Sequence, residues 1–493
     1  MIPLQLLQSS ANDCRLAVKQ LVKASAICLG LAGILAVCLD AFGINLLNFG
    51  TLDVARNTIA FWVYFQITML FVPGQKHLRL PLVLLIPIFT QLYQVGLGWD
   101  LPGGPSSISR IAPYLGVMIF LVSTHVAERV KVSAAEWGFV IAVNAIGITG
   151  AILGSTDQFV SLVTYLAVGI LLPLYYFFIK RELAASQFSA AQLEASALIG
   201  FLTLTVGTLA IIRMGSEMTL GGVTGLLGTR NVSDYNLVLA YLILLWPFAL
   251  RAARAISPLM VAFALILLLA SAIMGLSRTG LMFVPILAVS GIYSVFKDSI
   301  SKGFRTTIWI VLLGTCAFLA FPQKDQLGTV WLQRLNLTEN SRSSSIVSKL
   351  KPGGEDSFAR DQLRMEGFRL FTQSPVMGQG YGGFGESSRR GFRDAHSMTF
   401  TALAETGILG LVALYFVLAV VGLRLFRLAT AKSVQDGGLF FICFLMWLFA
   451  VHSVGGNLTA IQAGSFTIGA INGILLMVYL WAGPVLRRST FAP

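Results

Sequence analysis

The residues best suited to chemistry lie where a long polar segment meets an apolar run. Residues 323–397 are polar and end on the sequence RDAH at 393–396, and the apolar run that follows contains Glu405. An imidazole has an ordinary pKa of about 6.5, which suits a general base. A histidine at a helix start is also common as a cap or packing residue, but the neighbouring arginines favour a functional role for His396.

Arginines on short connectors form the second set of candidates. Arg213, Arg230 and Arg278 lie between apolar runs. Arginine near hydrocarbon is costly, and its planar fork fits the oxygens of a phosphate or diphosphate. Any one of them can instead contact lipid headgroups. Together with His396 they predict a cationic pocket for an anionic, membrane-borne substrate that has a proton to lose.

Glu405 is the third candidate, because it lies inside the apolar run. A carboxylate in such a position usually pairs with a basic group. Glu405 therefore either orients His396 or an arginine, or stabilises a packing interface.

The composition defines the elements that must position these residues. The 493 residues are 56% hydrophobic and 12% charged, against about 25% charged in soluble domains. Apolar runs of about twenty residues recur throughout, each long enough to span a bilayer. The sequence predicts an all-α polytopic membrane protein with about 12–14 transmembrane helices and one large periplasmic loop. Residues 1–322 would hold eleven helices, 323–397 the loop, and 398–493 the C-terminal helices.

The basic residues alternate between connectors without a break. One set of connectors holds 19 of the 35 lysines and arginines, and the short connectors of the other set hold only five. The positive-inside rule then places both termini in the cytoplasm and the long loop, with His396, outside. The net charge of +13 is therefore a topology signal, and nucleic acid is not a predicted partner.

Within the loop, residues 359–374 predict an amphipathic helix that ends at Pro375. Its apolar side would hold these residues: Leu363, Gly367, Phe368, Leu370 and Phe371. The sequence GQGYGG at 378–383 resembles a dinucleotide-binding loop only superficially, because a helix precedes it and a polar loop follows. We interpret it as a glycine turn that packs against the membrane domain.

Neither a metal nor a cofactor is predicted. The five cysteines are scattered without metal-ligand or disulfide spacing. His396 has no metal-binding partner and belongs to no serine–histidine–acid pattern.

Three stretches in order resemble the O-antigen ligase and polysaccharide polymerase superfamily of bacterial inner membranes. They are GLLGTRNVSDYNLVLAYLILLWPF, LSRTGLMFVPILAV, and RMEGFRLFTQSPVMGQGYGGFG followed by RDAHSMTFTALAETGILGL. The motifs cover roughly residues 190–420. The family commonly has asparagine after the histidine of the last stretch, where this chain has Ser397.

The resemblance implies a metal-independent, inverting glycosyltransferase of O-antigen or exopolysaccharide synthesis. The donor would be a glycan on undecaprenyl diphosphate, and the acceptor a second glycan or lipid A–core. His396 would be the base, Arg213 and Arg278 would stabilise the departing diphosphate, and Arg230 would assist. Arg364, Arg393 and Glu405 would contact donor or acceptor. Membrane lipids and other polysaccharide-assembly proteins are the remaining expected partners.

The alternative is a transporter or flippase for lipid-linked sugars or other anions. Many spans and a cationic pocket would suit it, but transporters often carry charges in the middle of the bilayer and have inverted repeats. Here the charges cluster at the outer face and no repeat is visible. Within the transferase hypothesis, the departures from a minimal ligase in loop and span number favour a polymerase.

Overall fold

The structure is a computed structural model. It describes residues 4–44, 54–96, 107–128, 132–134, 136–138, 140–141, 144, 165–185, 188–214, 232–274, 278–320, 355–388, 395, 397–431, 436–454, 475–476 and 478–479. Within these ranges the chain is helical and has no β-strand.

Fourteen α-helices are described in chain order, and a π-helical turn at Leu166–Leu171 leads into the fifth. The helices are α1 (Leu4–Ala41), α2 (Val54–Phe71), α3 (Lys76–Gly96), α4 (Ser107–Glu128), α5 (Leu172–Ala185), α6 (Phe188–Met214), α7 (Val232–Ile256), α8 (Pro258–Met274), α9 (Arg278–Asp298), α10 (Ile300–Ala320), α11 (Glu355–Gln373), α12 (Gly383–Ser387), α13 (Met398–Thr430) and α14 (Gly437–Val454).

Four helices are long and apolar enough, by length and composition, to cross a membrane. They are Ala11–Ala41 in α1, Phe188–Leu209 in α6, Val238–Ile256 in α7, and α13. Shorter apolar helices lie within α2, α4, α8, α9 and α14. The predicted class, an all-α polytopic membrane protein, is confirmed. The span count of 12–14 and the three-part division of the chain stay predictions.

Helix α7 lies at the centre of the bundle. It packs against α1, α6, α8, α9 and α14, and its large side chains are buried, among them Tyr241, Trp246 and Phe248. A helix that is apolar all round is stable only where other helices or lipid cover every side. The central position of α7 explains why its sequence has no polar face.

Segments that the charge pattern assigns to the same side of the membrane contact each other. Arg15 donates from Nε to the Ala255 carbonyl at 3.0 Å, and Gln192 donates to the His77 carbonyl at 2.5 Å. Arg251 pairs with Glu194 at 2.7 Å. These contacts are consistent with segments that lie on the same side of the helix bundle. The orientation of the protein in the membrane stays a prediction.

The predicted helix of the long polar segment is present as α11, which ends two residues before Pro375. Leu363, Gly367 and Leu370 are buried on one side, as the pattern predicted. Phe368 was wrongly assigned to that side, since it is 46% exposed on the opposite one. The reason lies in the spacing, because five positions from Leu363 correspond to about 140° around a helix.

Candidate active site

Helix α13 is broken at Gly407, whose φ of 62° and ψ of −161° are not helical. The hydroxyls of Thr399 and Tyr415 lie 2.6 Å apart across the break. Sixteen residues of straight helix would span about 24 Å, so the chain must fold back at Gly407. Met398–Thr430, which is long and apolar enough to cross a membrane, therefore consists of two helical segments that meet at Gly407, because glycine permits a conformation that hydropathy does not reveal.

The loop Pro375–Gly380 lies in this break. The amide of Ile408 donates to the carbonyl of Pro375 at 2.9 Å, and that of Leu409 donates to the carbonyl of Val376 at 3.4 Å. The first amides of a helix have no partner within the helix itself. The loop supplies that partner for the helical segment after the break.

The same loop also satisfies the end of the segment before the break. The amide of Gln379 donates to the Ala404 carbonyl at 2.7 Å, and the amide of Gly380 donates to the Glu405 carbonyl at 2.9 Å. In a continuous helix these two carbonyls would accept from amides four residues later. Four bonds to the loop thus replace two helical ones, which stabilises both the break and the loop.

Glycine is required where the two backbones meet. Gly378 has a φ of 73°, and an added Cβ would overlap the backbone of Glu405. At Gly407 an added Cβ would overlap the carbonyl of Val376. Gly380 and Gly382 also have positive φ values, of 86° and 80°. The interpretation of residues 378–383 as a glycine turn that packs against the membrane domain is confirmed.

Helix α11 packs on the segment before the break through Gly367. A Cβ there would lie 3.0 Å from the Phe400 carbonyl oxygen and 3.3 Å from Cβ of Ala395. Further along both segments, Gln379 joins Leu370 to Ala404, because its side chain donates to the Leu370 carbonyl at 3.0 Å and its amide donates to the Ala404 carbonyl at 2.7 Å. The order of these contacts shows that the two segments run in the same direction.

Glu405 is fully buried beside Tyr381. The pKa of Tyr381 is raised to about 12. Burial is the main cause, and the Glu405 carboxylate and then Tyr165 contribute less. Tyr165 in turn donates to Oδ1 of Asn144 at 2.7 Å. Tyr381 is thus near enough to Tyr165 to be affected by it electrostatically, and Tyr165 directly precedes the π-helical turn, a feature often found at functional sites.

Arg364 is the one predicted arginine whose side chain is described. It is half-buried and pairs with Asp361 at 3.2 Å. Arg364 lies one turn before Gly367, and because the two segments run in the same direction it lies toward Ala395. A neighbouring arginine has a structural task instead, since Arg369 pairs with Glu366 at 2.8 Å, which raises the pKa of Arg369.

The other predicted residues are described in part or not at all. Arg213 lies in the last turn of α6 and Arg278 is the first residue of α9, but their side chains lie outside the described residues. Arg230, Arg393 and His396 lie outside the described residues altogether. Whether these five meet at one site stays a prediction.

Both sequence neighbours of His396 are described, and both are buried. The Ala395 amide donates to Oγ1 of Thr401 at 3.1 Å, and the Ser397 carbonyl accepts from the Thr401 amide at 2.9 Å. The backbone on either side of position 396 is thus held by Thr401, in the helical segment that ends at the break.

Sequence reasoning missed Gly407, Tyr381, Tyr165 and Asn144. One signal was available, since an isolated glycine within a helical pattern lowers the stability of the helix at that position. Over the described part of the chain, no cluster of histidine, cysteine or acidic residues is arranged to hold a metal.

Comparison with known proteins gives one result. Residues 263–415 match the family described as O-antigen ligase, and no curated protein matches the chain. The matched segment runs from α8 beyond the break at Gly407, so it includes α11, the glycine turn and the interlocked backbone. The family supports an O-antigen ligase or polymerase type of function, with a lipid-linked glycan donor and an acceptor. Residues 263–415 are therefore similar to the O-antigen ligase family, which supports the resemblance found in the sequence to the O-antigen ligase and polysaccharide polymerase superfamily.

Proposed function

We propose that this protein transfers a glycan from undecaprenyl diphosphate to a sugar hydroxyl at the periplasmic face of the inner membrane. The carrying observation is the interlock between the loop Pro375–Gly380 and the break in α13. It lies within the matched residues and holds the far end of the helical segment that begins at Met398, two residues after position 396. Group transfer needs such support, because the reacting groups must be held near their reactive geometry.

His396 is the proposed base. It is bonded to two buried residues, Ala395 and Ser397, whose backbone atoms are tied to Thr401. As the acceptor hydroxyl attacks the anomeric carbon, its proton passes to His396. The bond from the anomeric carbon to the diphosphate oxygen breaks, and the configuration at that carbon inverts.

Arg213 and Arg278 are proposed to stabilise the negative charge that grows on the leaving diphosphate. They belong to α6 and α9, and both helices pack against α7 and α8. Arg213 ends one helix and Arg278 begins the other, so in the predicted topology both face the outside. Arg278 also benefits from its position, because helix N-termini favour phosphate groups.

The remaining residues have supporting roles in this proposal. Arg364 extends from α11 toward Ala395 and contacts donor or acceptor, as do Arg230 and Arg393. Glu405 is buried, which favours a role in orienting groups of the site over direct contact with a sugar. No nucleotide is needed because the diphosphate already activates the sugar. No metal takes part, so EDTA is expected to leave the turnover rate unchanged.

The decisive experiment uses purified protein with lipid-linked repeat units, with and without lipid A–core. We expect longer lipid-linked chains, the polymerase outcome, and a loss of about 100-fold or more for His396→Ala. His77→Ala is the matched control, because the contact described for His77 is made by its backbone carbonyl. Product only with lipid A–core would identify a ligase. No product from folded protein would contradict the transferase and favour a transporter.

A further inference from the structure

Helix α11 has two opposite stripes of side chains. The buried stripe consists of Leu363, Gly367 and Leu370. The exposed stripe consists of Asp361, Met365, Phe368 and Thr372. Both stripes have spacings of three and four residues, which places each on one side of the helix. The buried stripe packs on the start of α13, whereas Met365 is 66% exposed.

The exposed stripe begins with a charged residue and is mainly apolar after it, with Thr372 as the one polar member that follows. Asp361 stands at its start, Met365 and Phe368 follow, and Val376 continues it beyond the helix with 54% of its surface exposed. A purely aqueous setting does not account for these apolar side chains, because exposing methionine and phenylalanine to water is unfavourable.

The apolar end of the stripe joins the lipid-facing surface of α13. The Val376 carbonyl accepts from the Leu409 amide, so the two residues are in direct contact. Ile408, Leu409 and Val412 are exposed on the segment of α13 that follows the break, and a membrane-crossing helix exposes such residues to lipid. The exposed side of α11 therefore continues a surface that lipid covers.

We propose that the exposed stripe of α11 lies in the adjoining phospholipid leaflet, shallow at Asp361 and deepest at Val376. Arg364 and Arg369 lie on either side of the stripe, at about 100° and 240° from Leu363 around the helix. Arginines in such flanking positions contact lipid phosphates while apolar side chains enter the acyl layer. The interlocked turn, which contains Val376, then lies within the same leaflet, whatever reaction the protein performs.

The test is the membrane depth of nitroxide labels on the full-length protein in phospholipid nanodiscs. Single cysteines replace Asp361, Met365, Phe368, Thr372 and Val376 in a variant without the five native cysteines. Relaxation by oxygen, which concentrates in lipid, is compared with relaxation by a water-soluble nickel chelate. Val412→Cys is the lipid-facing reference. All these positions are exposed, so folding should persist, and elution on size exclusion checks it.

We expect the ratio of oxygen to nickel accessibility to rise from position 361 to position 376 and to approach the value at position 412. Equal, high nickel accessibility along the whole stripe would overturn the proposal, because the stripe would then face water. Protection from both reagents would also overturn it, since a protein surface and not lipid would cover the helix.

Discussion

Near the C-terminal end of α7, Arg251 and Arg254 pair with carboxylates of α6 and of the residue before α14, whereas at the break in α13 the contacts join one backbone to another. Arg251 lies 2.7 Å from Glu194, and Arg254 lies 2.7 Å from Asp436. Side-chain pairs of this kind attach helices to each other. Backbone hydrogen bonds at glycines hold a loop in one geometry. Such an arrangement suits a catalytic or binding site better than a contact between helices.

The difference predicts that substitutions in the two regions have different consequences. Substitutions in the ion-pair region should lower the stability of the protein, because the remaining member of the pair becomes a buried charge without a counter-ion. At the break the expected loss is activity, because a small displacement of a reacting group has a large effect on rate.

Gly407→Ala should have the largest effect on transfer activity. A small effect would contradict the proposed difference between the two regions. Alanine strains the positive φ and overlaps the Val376 carbonyl, so the loop must shift. We expect transfer activity to fall about 100-fold. Gly30→Ala is the matched control, because a Cβ at Gly30 meets no atom within 4 Å. Equal rates for both variants would show that the break does not support the site.

Arg278→Lys tests whether an arginine of the proposed site has a different role from the arginines of the ion-pair region. Lysine keeps the charge but replaces a two-pronged donor with a point charge. We expect the rate with a diphosphate-linked donor to fall about 10-fold to 100-fold. The control is Arg305→Lys, on an exposed residue of α10. A near-normal rate for Arg278→Lys would count against diphosphate binding by this residue.

Arg251→Ala should lower stability and leave the rate per folded molecule unchanged. Breaking a largely buried pair costs about 3 kcal/mol, since Glu194 and Asp436 lose a shared cation. Thermal unfolding in detergent measures the change. Arg364→Ala breaks a more exposed pair, so its unfolding free energy should change by less than about 1 kcal/mol. Similar losses of unfolding free energy for the two variants would contradict the distinction between the buried and the exposed ion pair.

The effect of Tyr381→Phe on stability should be confined to high pH. The pKa of Tyr381 is raised to about 12 in the folded protein, against about 10 in an unfolded chain. The stability that its neutral form contributes is complete below pH 10 and is lost as the pH rises toward 12. At pH 11 the wild type should have lost about 1.4 kcal/mol that the variant retains. Parallel pH dependences of unfolding for the two proteins would contradict the burial of this hydroxyl.

The sequence by itself determined the helical membrane class, the helix α11 with its end before Pro375, and the similarity of residues 263–415 to the O-antigen ligase family. These follow from local properties, namely apolar length, residue spacing and motif. It also predicted that the glycines at 378–383 would allow close packing. It did not show what they pack against, because the contact joins residues almost thirty positions apart.

Only the tertiary structure decided that α13 folds back at Gly407. In isolation the run from Met398 is a good helix, and glycine merely permits the break. The break is stable because the loop Pro375–Gly380 offers four backbone bonds in place of two. The burial of Glu405 beside Tyr381 has the same origin, since a residue's neighbours across the fold are set by packing and not by the sequence on either side of it.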